Sequence, residues 1–175
     1  MDLVLSQGAA KVDLARLPVA KQGLRQPPSP GEDPDHAVPH MVYDKGAWFL
    51  RFLEQRHGRA AFDAFLRSWF DTHAFQSVDT DTFVRFYEQH LGTGAGRARA
   101  VSAQELDAWL SGPDIPEWAP VETSSRFAAI DAARAAWLDG SLDLKTLSER
   151  GVTWTTLEWV CFLEGLPETL TLPKL

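Results

Sequence analysis

The run Val42-Tyr43-Asp44-Lys45-Gly46 leads directly into an apolar helical stretch, Ala47 to Gln55. A tyrosine entering a helix, with lysine and glycine fixed behind it, suits a phenol aimed into a site. With a pKa of about 10, a phenol stays protonated near neutral pH and donates a hydrogen bond. Taken alone, Tyr43 also fits a core aromatic whose hydroxyl is satisfied internally. Gly46 favours the first reading. Glycine inside a helix costs about 1 kcal/mol relative to alanine, so its use implies that something packs closely there.

The other candidate groups are weaker. His36 and His40 are four residues apart, the spacing of two zinc ligands on one helix face. Ala37 stands where that motif needs glutamate, however, and Pro39 keeps both rings from projecting from one helical face. They read as surface histidines, and no metal site is expected in this chain. His57, His73 and His90 each fall near a helix end, where imidazole meets the carbonyl end of the dipole. The cluster Gly92-Thr-Gly-Ala-Gly96 lacks the preceding strand and following Lys-Ser/Thr of a phosphate loop, and reads as a flexible connector. No Gly-x-Ser-x-Gly occurs, so serine hydrolase chemistry has no support. Asp33 and Asp35, around Pro34, are either cleft-lining or simply solvated carboxylates. Cys161, the single cysteine, lies in the apolar run Leu157 to Leu163 and reads as a small buried hydrophobe.

The elements that must position these residues are helical. Met41 to His57 carries Val42, Phe49, Phe52, Leu53 and Arg56 near one face, and Gly58 stops it. Arg59 to His73 follows at once, with Phe62, Phe65, Leu66, Trp69 and Phe70 as its stripe. So short a link predicts an antiparallel helical hairpin. Asp79 or Thr80 caps a third helix that buries Phe83, Val84, Tyr87 and Leu91. Ser102 to Glu105 is a capping box opening a helix through Leu110. Further helices are predicted at Ser125 to Leu138, Leu142 to Glu149 and Thr155 to Glu164. No strand pattern appears, so the fold class is all-α. Residues 1–40 read as an irregular N-terminal segment, with a short helix from Val12 to Leu17 and a proline-rich loop. Residues 41–111 form a helical body, 112–123 a linker and 124–175 a second helical set.

The bulk numbers exclude several functions. The net charge of −7 argues against a nucleic-acid surface. No apolar stretch is long enough to span a bilayer. The opening Met1-Asp2-Leu3 lacks the positive charge of a signal peptide. One cysteine permits a reducing compartment, and a cytoplasmic location is expected.

Asp33-Pro-Asp35, Val42-Tyr-Asp-Lys-Gly46, Phe49 to Glu54, Phe75-Gln-Ser-Val-Asp-Thr-Asp81 and Trp109-Leu-Ser-Gly-Pro113 occur in an order and spacing that resembles the gluzincin zinc aminopeptidases, in the leukotriene A4 hydrolase-like branch. The likeness covers roughly residues 33–120. It implies that Tyr43 is the catalytic tyrosine, which donates to the oxyanion formed when zinc-activated water attacks a peptide carbonyl. It implies that Lys45 and Gly46 position the helix, and that Asp35 lines an acidic substrate channel. It assigns zinc to the parent enzyme. The ligands His-Glu-x-x-His plus a distant glutamate, and the Gly-x-Met-Glu-Asn loop for the substrate amine, do not occur here. The resemblance therefore implies the end of a thermolysin-like catalytic domain, then the start of a helical solenoid-like C-terminal domain. The missing partner is the N-terminal catalytic part, and the isolated chain is expected to be inactive. Val42 stands where the family often has proline, and Val38 where the leukotriene branch has a second tyrosine. Peptide hydrolysis is therefore expected rather than lipid-epoxide opening. The alternative is a stand-alone helical interaction module derived from such an enzyme. The apolar end, Leu166 to Leu175, predicts an exposed patch and self-association.

Overall fold

The structure, a computed structural model, describes residues 3–26, 31, 33 and 38–170. Among the described residues there are eight α-helices and no strand. They are α1 (Leu3–Arg16), α2 (Met41–His57), α3 (Arg59–His73), α4 (Thr80–His90), α5 (Ala103–Leu110), α6 (Ser125–Asp139), α7 (Leu144–Gly151) and α8 (Thr156–Glu164). The chain divides into two compact units, one of Ser6–Val121 and one that joins residues 1–5 to the chain from Glu122 onward.

In the first unit, α2 is the central element. Met41, Asp44, Lys45, Trp48, Phe49, Phe52, Leu53 and His57 are its buried residues. They recur at three- and four-residue intervals, which places them on one helix face. Trp48, Phe49 and Phe52 pack with Trp109 of α5, their ring centroids 5.8–6.5 Å apart. Gly58 joins α2 to α3 as the single intervening residue, at φ +86°, a conformation that side chains resist. Phe62 and Phe65 of α3 then pack into the same core as Phe86 and Tyr87 of α4. Phe70 is 67% exposed, contrary to the stripe expected for α3. A step of about 100° per residue carries it off the line through Phe62, Phe65 and Trp69.

The caps follow from the sequence. Asp79 accepts the Thr82 amide at 2.8 Å, and Ser102 with Glu105 completes a capping box. His73 Nδ1 lies 3.0 Å from the Trp69 carbonyl and His90 Nδ1 2.9 Å from that of Phe86, the expected helix-end roles. His57 departs from that expectation. It is buried, its Nε2 lies 2.9 Å from the Tyr87 hydroxyl, and burial followed by Arg56 and Arg99 lowers its pKa.

Three stretches are more ordered than expected. The N-terminal helix runs over Leu3–Arg16, not Val12 to Leu17. Its inward residues include Ser6 and Gln7 beside Ala10 and Leu14, so apolar periodicity underreports it. The glycine cluster is no flexible connector, because Gly94–Arg99 is a 3-10 helix. A Cβ on Gly96 would lie 2.3 Å from the Leu91 carbonyl oxygen, so the tight turn requires glycine. The proline-rich run after α5 is tied down as well. The Pro120 carbonyl accepts from Trp48 Nε1 and from Gln7 Nε2, and Ala119 is buried.

The second unit packs α6, α7 and α8 around Ile130, Ala133, Trp137, Leu147 and Phe162. Ser124 caps α6, Asp143 caps α7, and Thr155 with Glu158 forms a capping box on α8. Arg126 donates to both Glu158 oxygens, at 2.8 and 3.0 Å. Leu166 and Leu170 pack against this core rather than forming an exposed patch; residues 171–175 of that expectation lie outside the described residues. No helix is long and apolar enough to cross a membrane among the described residues.

Candidate functional site

Tyr43 is the third residue of α2. Its amide donates to the His40 carbonyl at 3.1 Å, so the backbone here is already helical. The side chain lies outside the core, 68% exposed. Its ring centroid is 5.6 Å from that of His40, at 52°. Among the described residues no hydrogen-bond partner reaches its hydroxyl. Its chain neighbour Val42 lines a hollow of about 490 Å³ with Val38, Val78 and Thr80 among others, and Tyr43 is not one of its walls.

The two residues after Tyr43 point the other way. Asp44 is 2% exposed and accepts the Ser6 hydroxyl at 2.6 Å. Its second oxygen lies 3.8 Å from His40 Nδ1. Lys45 is wholly buried, and its Nζ donates to the Gln22 carbonyl at 2.8 Å and the Gly112 carbonyl at 2.9 Å. Burial pushes the Lys45 pKa down to about 8, against the opposing pull of Asp114. The first turns of α2 are thereby fastened to α1, to the chain after α1 and to the end of α5. Sequence reasoning missed the burial of Asp44 and Lys45. Both sit on the line Met41, Trp48, Phe52 at helical spacing, but a charged residue in a first turn reads as solvated until its partners on other elements are known.

Gly46 does not mark a close approach. A Cβ there would meet only Leu24 Cδ2, at an ordinary 3.9 Å. Asp35, the channel candidate, lies outside the described residues, as does His36. His40 instead stands near Asp13 of α1 and Asp44, with one ligand atom of each within 4.8 Å of the others. This group has one imidazole and two carboxylates. It does not match the two histidines and glutamates that hold zinc in the family the sequence resembles.

The helical architecture is shared with a solved structure. A native yeast LTA4 hydrolase superimposes with a TM-score of 0.75 at 20% identity, covering 98% of this chain and 29% of that one. Residues 5–109, more than half of the chain, match the Peptidase family M1 domain, and the chain belongs to that family. It is 27% identical to Aminopeptidase B of Mus musculus over 155 residues, which is 86% of this chain and 24% of that protein. It is 29% identical to a Leukotriene A-4 hydrolase homolog of Botryotinia fuckeliana over 94 residues, 54% of this chain and 15% of that protein. The chain thus spans about a quarter or less of these curated relatives.

Proposed function

We propose that this chain supplies the oxyanion-stabilising tyrosine and its scaffold helices to a zinc-dependent aminopeptidase that removes N-terminal residues from peptides. The observation that carries the reading is Tyr43, which lies in the first turn of a helix inside the matched M1 region and has an exposed side chain. Negative charge grows on a scissile carbonyl oxygen during attack, and a protonated phenol donates to it. A donor of this kind contributes a factor of about 10²–10³ in turnover. Lys45 holds the helix through its two carbonyl partners. Asp35 takes the acidic channel position that the resemblance gives it.

Zinc belongs to the parent enzyme. The residues present here do not fit its site, since none of the five histidines is followed by glutamate and His-Glu-x-x-His does not occur. No step of the reaction is therefore assigned to a metal held by this chain. The chain alone is expected to bind no catalytic zinc and to cleave no peptide. Stoichiometric zinc by metal analysis, with turnover of an aminoacyl-anilide, would overturn that. In a longer reading frame continuous with this chain and encoding His-Glu-x-x-His, Tyr43→Phe is expected to lower kcat about 10²–10³-fold with KM nearly unchanged. Undiminished turnover in that variant would sink the assignment.

A further inference from the structure

The turn that presents Tyr43 also carries a buried acid whose contacts lead back to the phenol. We propose that Asp44 and His40 are positioning residues that set where the Tyr43 ring points, through contacts anchored at Ser6. Ser6 and Asp44 are 3% and 2% exposed, on the seam between α1 and α2. The Ser6 hydroxyl donates to Asp44 Oδ1 at 2.6 Å, which fixes the carboxylate and leaves Oδ2 facing His40 Nδ1 at 3.8 Å. The His40 ring then lies against the Tyr43 ring, centroids 5.6 Å apart.

Each link has a physical reason. A carboxylate taken out of water is costly unless it is hydrogen-bonded or paired, so Asp44 holds Ser6 and draws His40 toward its open oxygen. A carboxylate near a helix N-terminus interacts favourably with the dipole even when exposed, so the dipole does not account for the burial. Asp13 of α1 is the other carboxylate near His40, and Arg16 of α1 shares a hollow with Asp13 and His40. His40 thus stands between two acids, and its orientation follows theirs. An exposed phenol on a short helix turn has no core to hold it. A neighbouring ring, itself held by a buried acid, limits where it can go. The catalytic consequence rests on the oxyanion reading of Tyr43, but the contact itself does not.

Only two tyrosines occur in the chain, Tyr43 and Tyr87, so 3-fluorotyrosine labelling of the full chain gives two fluorine resonances. Tyr43→Phe identifies the exposed one, and buried Tyr87 reports that the fold is intact. In the wild type, Tyr43 is expected to show cross-relaxation to the His40 ring protons. Ser6→Ala and Asp44→Asn are expected to lose it and to shift the Tyr43 resonance, with Tyr87 unmoved. Ser6→Thr, which keeps the hydroxyl, is expected to retain the wild-type signal. An unchanged Tyr43 resonance and retained cross-relaxation in Ser6→Ala and Asp44→Asn would overturn the proposal. If both variants also move Tyr87, His40→Phe decides. It keeps a ring at an exposed position but removes the nitrogen facing Asp44. A shifted Tyr43 resonance there supports the proposal, and an unshifted one overturns it. These measurements read ring position, so a Tyr43 that proves inert in turnover leaves them intact, and their failure leaves the oxyanion role untouched.

Discussion

Two buried charges, one in each unit, are lowered in pKa with opposite meaning. Lys45 in α2 sits among apolar side chains and backbone carbonyls, and burial lowers its pKa to about 8. For a base, this means that the folded protein carries the charge at a cost. Glu158 in α8 is lowered to about 2, first by the Thr155 amide, then by the Thr155 hydroxyl and Arg126. For an acid, this means that the folded protein favours the charge. The second unit uses its ion as a fastening between α6 and α8, in keeping with a scaffold. The first unit keeps a costly ion at the turn that presents Tyr43. The costly buried charge thus lies two residues from the candidate catalytic side chain, and the favourable one lies in the second unit.

The largest expected effect is on stability. Lys45→Ala leaves the Gln22 and Gly112 carbonyls without their donor and opens a cavity, and a loss of roughly 2–4 kcal/mol is expected. Urea unfolding of this variant beside Glu158→Gln tests the contrast. A larger loss in Glu158→Gln would break it.

The second effect is an alkaline one. An unfolded lysine has a pKa of 10.5 and Lys45 in the folded state one of about 8, so the folded protein sheds this proton first. Between those values the unfolded chain binds more protons, so the contribution of Lys45 to stability rises with pH and then levels off. Carbon-detected titration of the Lys45 side chain should show a midpoint near 8. A midpoint near 10.5 would remove the asymmetry between the units.

The smallest effect lies at the acid end. Glu158 contributes stability that is fully present above its unfolded pKa of 4.5 and is lost as pH falls from there through about 2. Tryptophan fluorescence of the second unit should report acid unfolding in that window, with the Glu158→Gln variant less dependent on pH. Identical acid profiles in the two proteins would mean that Arg126 and Thr155 do not hold the charge.

Much of the scaffold was legible in residue order. The bounds of α2 and α3, the Asp79 cap and the Ser102 capping box follow from local hydrogen-bonding rules, so they can be read without knowing the neighbours. The extent of α1 was hidden because Ser6 and Gln7 face inward, where the pattern expects apolar side chains. Tyr43 could be singled out from its motif, and its neighbour Asp44 could not. Whether a carboxylate in a first turn faces water or a serine on another helix depends on a residue 38 positions away.

By itself the sequence determined the helices from α2 onward, the Asp79 and Ser102 caps and the family to which they belong. Those features depend on contacts a few residues apart and on motifs read in order. Only the tertiary structure decided which charges are buried, that His57 joins the core beside Tyr87, and that the glycine cluster is a 3-10 turn rather than a connector. The physical reason is that burial and pKa belong to the surroundings of a group, and those surroundings are assembled from distant parts of the chain.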